Sequence, residues 1–288
     1  MQDVDQLNVI HVAGTNGKGS TCAYIDQLLA FCRDKSGRPL KIGLYTSPHL
    51  TSVCERFRID GAVLSEEAFA KYFFEVYNIF KTSPREKPPG YFRFLTLLSF
   101  YIFFKEGINA AIIETGVGGE FDPTNIVQNP IMTIITKISI DHRIRLGKSL
   151  GDIAWHKAGI LKSGCPAISV KQEVSAKTVL ETRAREKGVK LQFADDDDER
   201  LIEVKLAPIQ KTNASAALHG TEIFLNKIYG CESLSPEAVQ TLGKTVWPGR
   251  YDVRTEGHTE WRIDGAHNEE ALKKAADWFS DIVAATDL

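Results

Sequence analysis

The sequence predicts an α/β protein in which a mostly parallel sheet is flanked by helices. Short apolar runs of strand length alternate with longer stretches of helical periodicity. Several of those runs end in glycine or polar residues, as buried parallel strands do on reaching a loop edge. The 288 residues, 43% hydrophobic and 25% charged, suffice for a sizeable core and have the balance of an ordinary globular domain.

Residues 8–13 (NVIHVA) are rich in β-branched side chains and run into glycines, which predicts a buried strand. Beyond the glycines, Ile25, Leu28, Leu29 and Cys32 recur at helical spacing, predicting an amphipathic helix from about Gly19. Residues 41–46 read as a second strand. Ser65 before Glu66 and Glu67 marks a helix start with anionic side chains at the positive end of the dipole. That helix continues through Phe69, Tyr72, Phe73 and Val76. An aromatic-rich helix over residues 92–105 and strands over 110–114 and 131–138 follow. Ser149 and Asp152 have capping-box spacing before a helix containing Ile153, Ala154 and Lys157, and residues 166–170 form another apolar run. The charge run 195–199 predicts a solvated loop. A helix over 213–228 precedes residues 231–246. From Trp247 the pattern changes to a Pro248-Gly249 turn, a short strand pair and a helix from about Glu269 to the end. So short a stretch is too small for an independent α/β domain. The expected division is a main domain of residues 1–246 and an incomplete C-terminal α/β domain in residues 247–288.

The formal net charge of -2 gives no general electrostatic case for nucleic acid, and no apolar run reaches membrane-span length. Five scattered cysteines without a CxxC pair argue against a disulfide framework or zinc site and for a reducing compartment. The acidic start (Met1 to Asp5) is unlike a signal or transit peptide, so a cytoplasmic location is expected, with a mitochondrial copy left open.

The stretch HVAGTNGKGST (residues 11–21) lies where a strand hands over to a helix. There, backbone N–H groups and the helix dipole converge on an anion, and glycines let the backbone wrap phosphate oxygens. Lys18 would offset phosphate charge, and Ser20 or Thr21 could ligate Mg²⁺. The stretch departs from the GxxxxGK[ST] pattern, because Val12 replaces the first glycine and Gly19 separates lysine from hydroxyl. A tight Asn-Gly turn with Lys18 in solvent is the alternative. Ser47, Glu114 and His142 each follow or close an apolar run. Delivered to one sheet edge, they would suit a magnesium site beside phosphates; a turn carboxylate and a structural histidine are the bland readings.

Seven stretches, in order along the whole chain, resemble the folylpolyglutamate synthase family within the Mur ligase superfamily. They are residues 11–21, 44–50 (LYTSPHL), 114–125 (ETGVGGEFDPTN), Asp141-His142 with Leu146-Gly147, 153–160 (IAWHKAGI), 247–253 (WPGRYDV) and 264–268 (DGAHN). The resemblance implies a P-loop ATPase domain of Mur-ligase type. Thr15, Asn16, Gly17, Lys18, Gly19 and Ser20 would form the ATP phosphate loop. Ser47, Glu114 and His142 would be magnesium ligands, with a monovalent cation as a further ion. Lys157 matches a lysine carried as a carbamate; this needs a neutral amine, which burial would favour. Its alternative is a cation near a helix C-terminus. Lys18, Lys157 and His142 are thus the implied catalytic groups. Asn213 resembles an asparagine near the nucleotide base, and Arg250 and Asp264 match ATP contacts from the second domain, with His267 close by. Surface and turn roles are their alternatives. Ser47, Pro48 and His49, with Asp122 and Thr124, resemble loops lining a pterin and aminobenzoate site. Tyr91, Phe92 and Phe94 could stack on a flat ring or could simply be core.

The implied reaction is ATP-dependent transfer of phosphate to the γ-carboxylate of a folate glutamyl tail, followed by attack of a glutamate amine. Reduced folate, L-glutamate and ATP are then the partners of a monomer. Dihydrofolate synthase, acting on dihydropteroate, and a non-catalytic nucleotide-binding module remain alternatives. Family members usually begin with a helical segment and continue several strands beyond the position of Leu288, so groups for glutamate are not named.

Overall fold

The computed structural model describes residues 4–83, 89–194, 198–231 and 233–285. Met1 to Asp3, Asp195 to Asp197 of the charge run and the last three residues of the C-terminal stretch lie outside it.

Strands β1 (Val9–Ala13), β2 (Ile42–Tyr45), β3 (Phe57–Ile59), β4 (Ala62–Val63), β5 (Ala110–Glu114), β6 (Met132–Ile135), β7 (Ala167–Ser169) and β8 (Leu191–Phe193) form one sheet in the order β4-β3-β2-β5-β1-β6-β7-β8. The six strands from β2 to β8 in that order pair in parallel; β3 and β4 are an antiparallel edge. β1 is central and buried on both faces, which is why it reads as a nearly continuous apolar run.

Alternation along the strands sorts side chains into layers. Ile10, Val12, Ile42, Leu44, Ala110, Ile112, Met132 and Ile134 face one way, against helices α1 (Lys18–Leu29), α7 (Pro208–Tyr229) and α8 (Pro236–Gln240). On the other face, Val9, Tyr45, Phe57, Ala111 and Ile113 meet α2 (Glu66–Thr82) and α3 (Tyr91–Glu106). Ala13, Ile135 and Ala167 meet α5 (Leu150–Lys157) and α6 (Val174–Glu186). Each fully buried Leu or Ile in these layers contributes about 1.5–3 kcal/mol. Close approach is visible at Gly43, where a Cβ would lie 2.4 Å from Ile108 Cδ1 and 2.8 Å from the Phe103 ring.

The predicted caps form. Ser65 accepts from the Ala68 amide, and Ser149 with Asp152 makes a reciprocal capping box. Some boundaries differ. The strand expected over 131–138 ends at Ile135, and the segment beyond it turns to pair with the glycine loop. The helix expected from Asn213 begins at Pro208, because proline fits the first helical turn. Within the predicted charged loop, Asp198 caps a short 3-10 turn and pairs with Arg200. After Trp247, β9 (Asp252–Glu256) and β10 (Thr259–Ile263) form a separate antiparallel pair, followed by α9 (Glu269–Ala285). Among the described residues, no helix is long and apolar enough to cross a membrane.

Candidate active site

The carboxyl ends of β1, β2 and β5 open onto one cavity of about 1260 Å³. Register explains the convergence. Val12 pairs with Glu114 and Tyr45 with Ile113, so the loop after Ala13, the Ser47 turn and the Glu114 carboxylate leave the sheet at one level.

The glycine loop is pinned from behind. Thr15 and Asn16 amides both donate to Lys137 O, at 2.8 and 3.1 Å, and Thr15 Oγ1 and the Ser139 backbone exchange bonds of 3.1 Å. Two glycines are sterically required. A Cβ on Gly14 would lie 1.7 Å from Thr136 Oγ1; on Gly17, at φ +87, it would lie 2.2 Å from Asn213 Oδ1. Gly17 offers α1 no side-chain cap, so the first-turn amides of the helix have no acceptor within it, and Gly17 to Ser20 line the cavity. Asn213 donates to Gln210 Oε1 at 3.1 Å, and Gln210 also touches Ser20 Oγ at 3.5 Å. The 208–229 helix is thereby tied to the loop.

Glu114 closes β5 only 3% exposed. One oxygen accepts the Ser47 amide at 2.9 Å, and the other lies 3.8 Å from Lys18 Nζ. Burial raises its pKa above the ordinary carboxylate value, against the pull of the Lys18, Arg250 and Arg56 charges. Lys18 is therefore on the cavity wall and not in open solvent. His142 lies seven residues beyond the end of β6 and caps the short helix α4 (Arg143–Leu146) at φ 48. Burial lowers its pKa, and the Lys157 and Lys18 charges add to this against the pull of Asp141. Ser47, Glu114 and His142 share the cavity. Among the described residues, no three His, Cys, Asp or Glu side chains form a metal cluster.

Lys157 ends α5 at 2% exposure and turns inward, its Nζ donating to Gly14 O at 2.6 Å. Burial, reinforced by the Lys18 charge, lowers its pKa well below the lysine norm. Lys157 does lie at the C-terminal end of its helix, as the alternative reading has it, but its amine is turned away from solvent and buried against the glycine loop.

The C-terminal segment completes the wall. Arg250, Asp264 and His267 all line the cavity. Arg250 packs so closely on Gly265 that a Cβ there would lie 1.8 Å from its Nη1. Asp264 accepts the Tyr251 amide at 2.9 Å, and His267 Nε2 is 3.3 Å from Asp141 Oδ2. Asn268 and Asn16 exchange amide bonds of 2.9 and 3.3 Å, and Ser139 donates to Glu270.

Two predicted substrate contacts need correction. Thr124 is fully buried and does not line the cavity. Its hydroxyl donates to Asp122 Oδ1 at 2.6 Å and so must accept from His11 Nε2–H at 2.8 Å. Asp122 does reach the wall, but its oxygens also take the Thr124 and Val117 amides. His49 does not line the wall either; its Nδ1 accepts from Arg56 Nε at 2.9 Å. Ser47 and Pro48 do line it. Tyr91, 61% exposed, and Phe92 line the cavity, whereas Phe94 is core. The sequence reading missed Arg56, which lines the cavity; Trp247, at the start of the 247–253 stretch, packs beside the loop, where its indole Nε1 would lie 3.0 Å from a Cβ on Gly19. No motif spacing singles out Arg56. No cysteine lines the cavity among the described residues.

No family model matches the chain. It is 47% identical over 293 aligned positions to a protein named folylpolyglutamate synthase from Neurospora crassa, covering 96% of this chain and 55% of that protein. The same name attaches to a Saccharomyces cerevisiae protein 43% identical over 304 positions, with 98% and 55% covered. The chain thus spans about half the length of the curated relatives it matches. Among solved structures, Mycobacterium tuberculosis folylpolyglutamate synthase complexed with ADP matches with a TM-score of 0.82 at 28% identity, covering 96% of this chain and 66% of that one. The apo L. casei enzyme matches in fold with a TM-score of 0.83 at 24% identity, covering 98% and 74%. By sequence over nearly its whole length, and by fold, the chain is similar to folylpolyglutamate synthases.

Proposed function

We propose that the chain is the nucleotide-binding part of an ATP-dependent ligase that joins the amine of L-glutamate to the γ-carboxylate of a folate glutamyl tail. The observation that carries this reading is the single cavity onto which the glycine loop, Lys18, Ser47 and Glu114 open together with Arg250, Asp264 and His267. The names of the relatives support it, as do the ADP complex of the mycobacterial neighbour and a related complex with AMPPCP and folate.

A carboxylate and an amine at neutral pH form a salt, not an amide, so the acid must first be activated. The γ-phosphoryl group of ATP passes to the folate carboxylate, giving an acyl phosphate and ADP. The glutamate amine then attacks the acyl carbon and releases phosphate. This chain's share is positioning and electrostatics. The α1 amides and Lys18 hold the phosphates. Asn213 borders the nucleotide, and Arg250, Asp264 and His267 approach it from the C-terminal segment. Ser47 and Pro48, with Asp122, Tyr91 and Phe92, border the folate.

The donor set fits magnesium. Glu114 is a buried carboxylate whose ionised form burial disfavours, and a dication would relieve that penalty. Ser47, Glu114 and His142 would hold the ion, which supplies charge neutralisation on phosphate oxygens when bound. Lys157, buried and shifted toward the neutral amine, fits a carbamate that would turn it into an anionic oxygen donor. The reading carries a cytoplasmic monomer acting on small molecules.

Glutamate-dependent ADP release, with and without reduced folate, tests it. Folate-stimulated release supports the proposal. Release with dihydropteroate alone would instead make the protein a dihydrofolate synthase, and nucleotide binding without release would make it a non-catalytic module. Lys18→Ala should abolish release; near-normal activity would refute the role given to Lys18.

A further inference from the structure

Arg56 ends a short 3-10 turn (Val53–Arg56) that carries the chain from the Ser47 turn into β3, and it lines the cavity at 8% exposure. Its Nε is used by His49 Nδ1, and its Cζ lies 5.9 Å from the Tyr91 ring centroid. Its buried Nη1 has no hydrogen-bond partner. A guanidinium stays charged at every working pH, so leaving one of its N–H groups dry and unpaired is costly. The carboxylate that feels its charge, Glu114, is already engaged by the Ser47 amide and faces Lys18. Protein groups therefore leave the fork incomplete.

A planar oxyanion from outside would complete it. A phosphate already has its cradle in the glycine loop. The wall around Arg56 is of another kind: Pro48, Leu50, Tyr91 and Phe92 are apolar or aromatic and suit an organic molecule with a flat ring. A guanidinium matches a carboxylate in two parallel bonds, and a lysine at the same place could not. We propose that Arg56, held in place by His49, binds a carboxylate of the folate substrate's glutamyl tail. This deepens the ligase reading above and rests on it. It also gives His49 a part as a positioning residue, one step behind the wall where the sequence placed it.

Calorimetric titration tests the assignment with three probes: an ATP analogue, reduced folate monoglutamate, and the folate's bis-amide, in which both tail carboxylates are neutral. The proteins are the wild-type chain, Arg56→Gln and Arg56→Lys. Arg56→Gln should weaken folate binding about tenfold or more while leaving the bis-amide and the nucleotide unaffected. Arg56→Lys, which keeps the charge and loses the fork, should fall between. The melting temperature without ligand should not drop in Arg56→Gln, because the change removes an incompletely paired buried charge; a marked drop would assign Arg56 to the fold instead. Wild-type preference for the folate over its bis-amide that persists in both variants would overturn the role of Arg56 alone. A wild-type chain that binds nucleotide and neither folate would overturn the ligase reading and this proposal with it.

Discussion

Gly17→Ala probes the loop at its tightest point. Gly17 has φ 87 and ψ -4, where an alanine pays about 1–2 kcal/mol for the left-handed conformation. Its Cβ would sit 2.2 Å from Asn213 Oδ1 and 2.9 Å from Asn213 Cγ, closer than real contacts allow. Asn213 is buried, so its amide would have to swing and give up the 3.1 Å bond to Gln210. That loss adds about 1 kcal/mol. The total, about 2–3 kcal/mol, lowers Tm by about 4–12 °C at the 2–4 °C per kcal/mol expected for a domain of this size. Nucleotide affinity should fall about tenfold or more, because the displaced peptide carries the amides meant for phosphate. Differential scanning calorimetry and titration with an ATP analogue measure the two effects. In an Asn213→Ala background the clash is gone, so Gly17→Ala should cost only the conformational part, about 1–2 kcal/mol. The reasoning fails if Gly17→Ala matches the wild type in Tm and affinity, or if the double-mutant cycle shows no coupling.

Lys157→Ala should remove turnover, with partial recovery in small carboxylic acids that supply the missing oxygen donor. A wild-type mass without the carbamate, and activity indifferent to bicarbonate, would remove the basis for that rescue. His11, fully buried, has its pKa lowered to about 3 by desolvation and by the Lys162 charge. Below about 6.5 the unfolded imidazole takes up a proton that the folded one refuses, so stability rises with pH from about 3 to 6.5 by up to about 1.4 kcal/mol per unit. Urea titrations between pH 4 and 7 should show that slope flattened in His11→Phe; an unchanged slope would place the acid sensitivity elsewhere.

The sequence was informative where local chemistry and global packing agree. β1 and β5 are apolar because both faces are covered, and Ser149-x-x-Asp152 caps its helix by a purely local bond. The antiparallel edge escaped notice although Asp60-Gly61, at φ 51 and 77, carries the two-residue hairpin signal; its strands are too short to show a period. Helix α6 escaped because it buries only Ala176, Leu180 and Ala184, and a polar surface hides so thin a stripe.

Site residues divide along the same line. A motif places a residue beside a cavity, but side-chain direction depends on register and on which neighbour claims its polar atoms. Ser47 and Glu114 point inward because three parallel strands end level. Thr124 and His49, equally close in sequence, are spent holding Asp122 and Arg56. On the cavity wall, three residues carry unfinished electrostatics. Burial opposes the charge on Glu114 and on Lys157, and it leaves Arg56 with an unpaired donor. Stability alone favours apolar replacements at such positions. Three of them around one cavity make sense if a polyanionic nucleotide, its cation and an acidic substrate supply the missing charges when they bind.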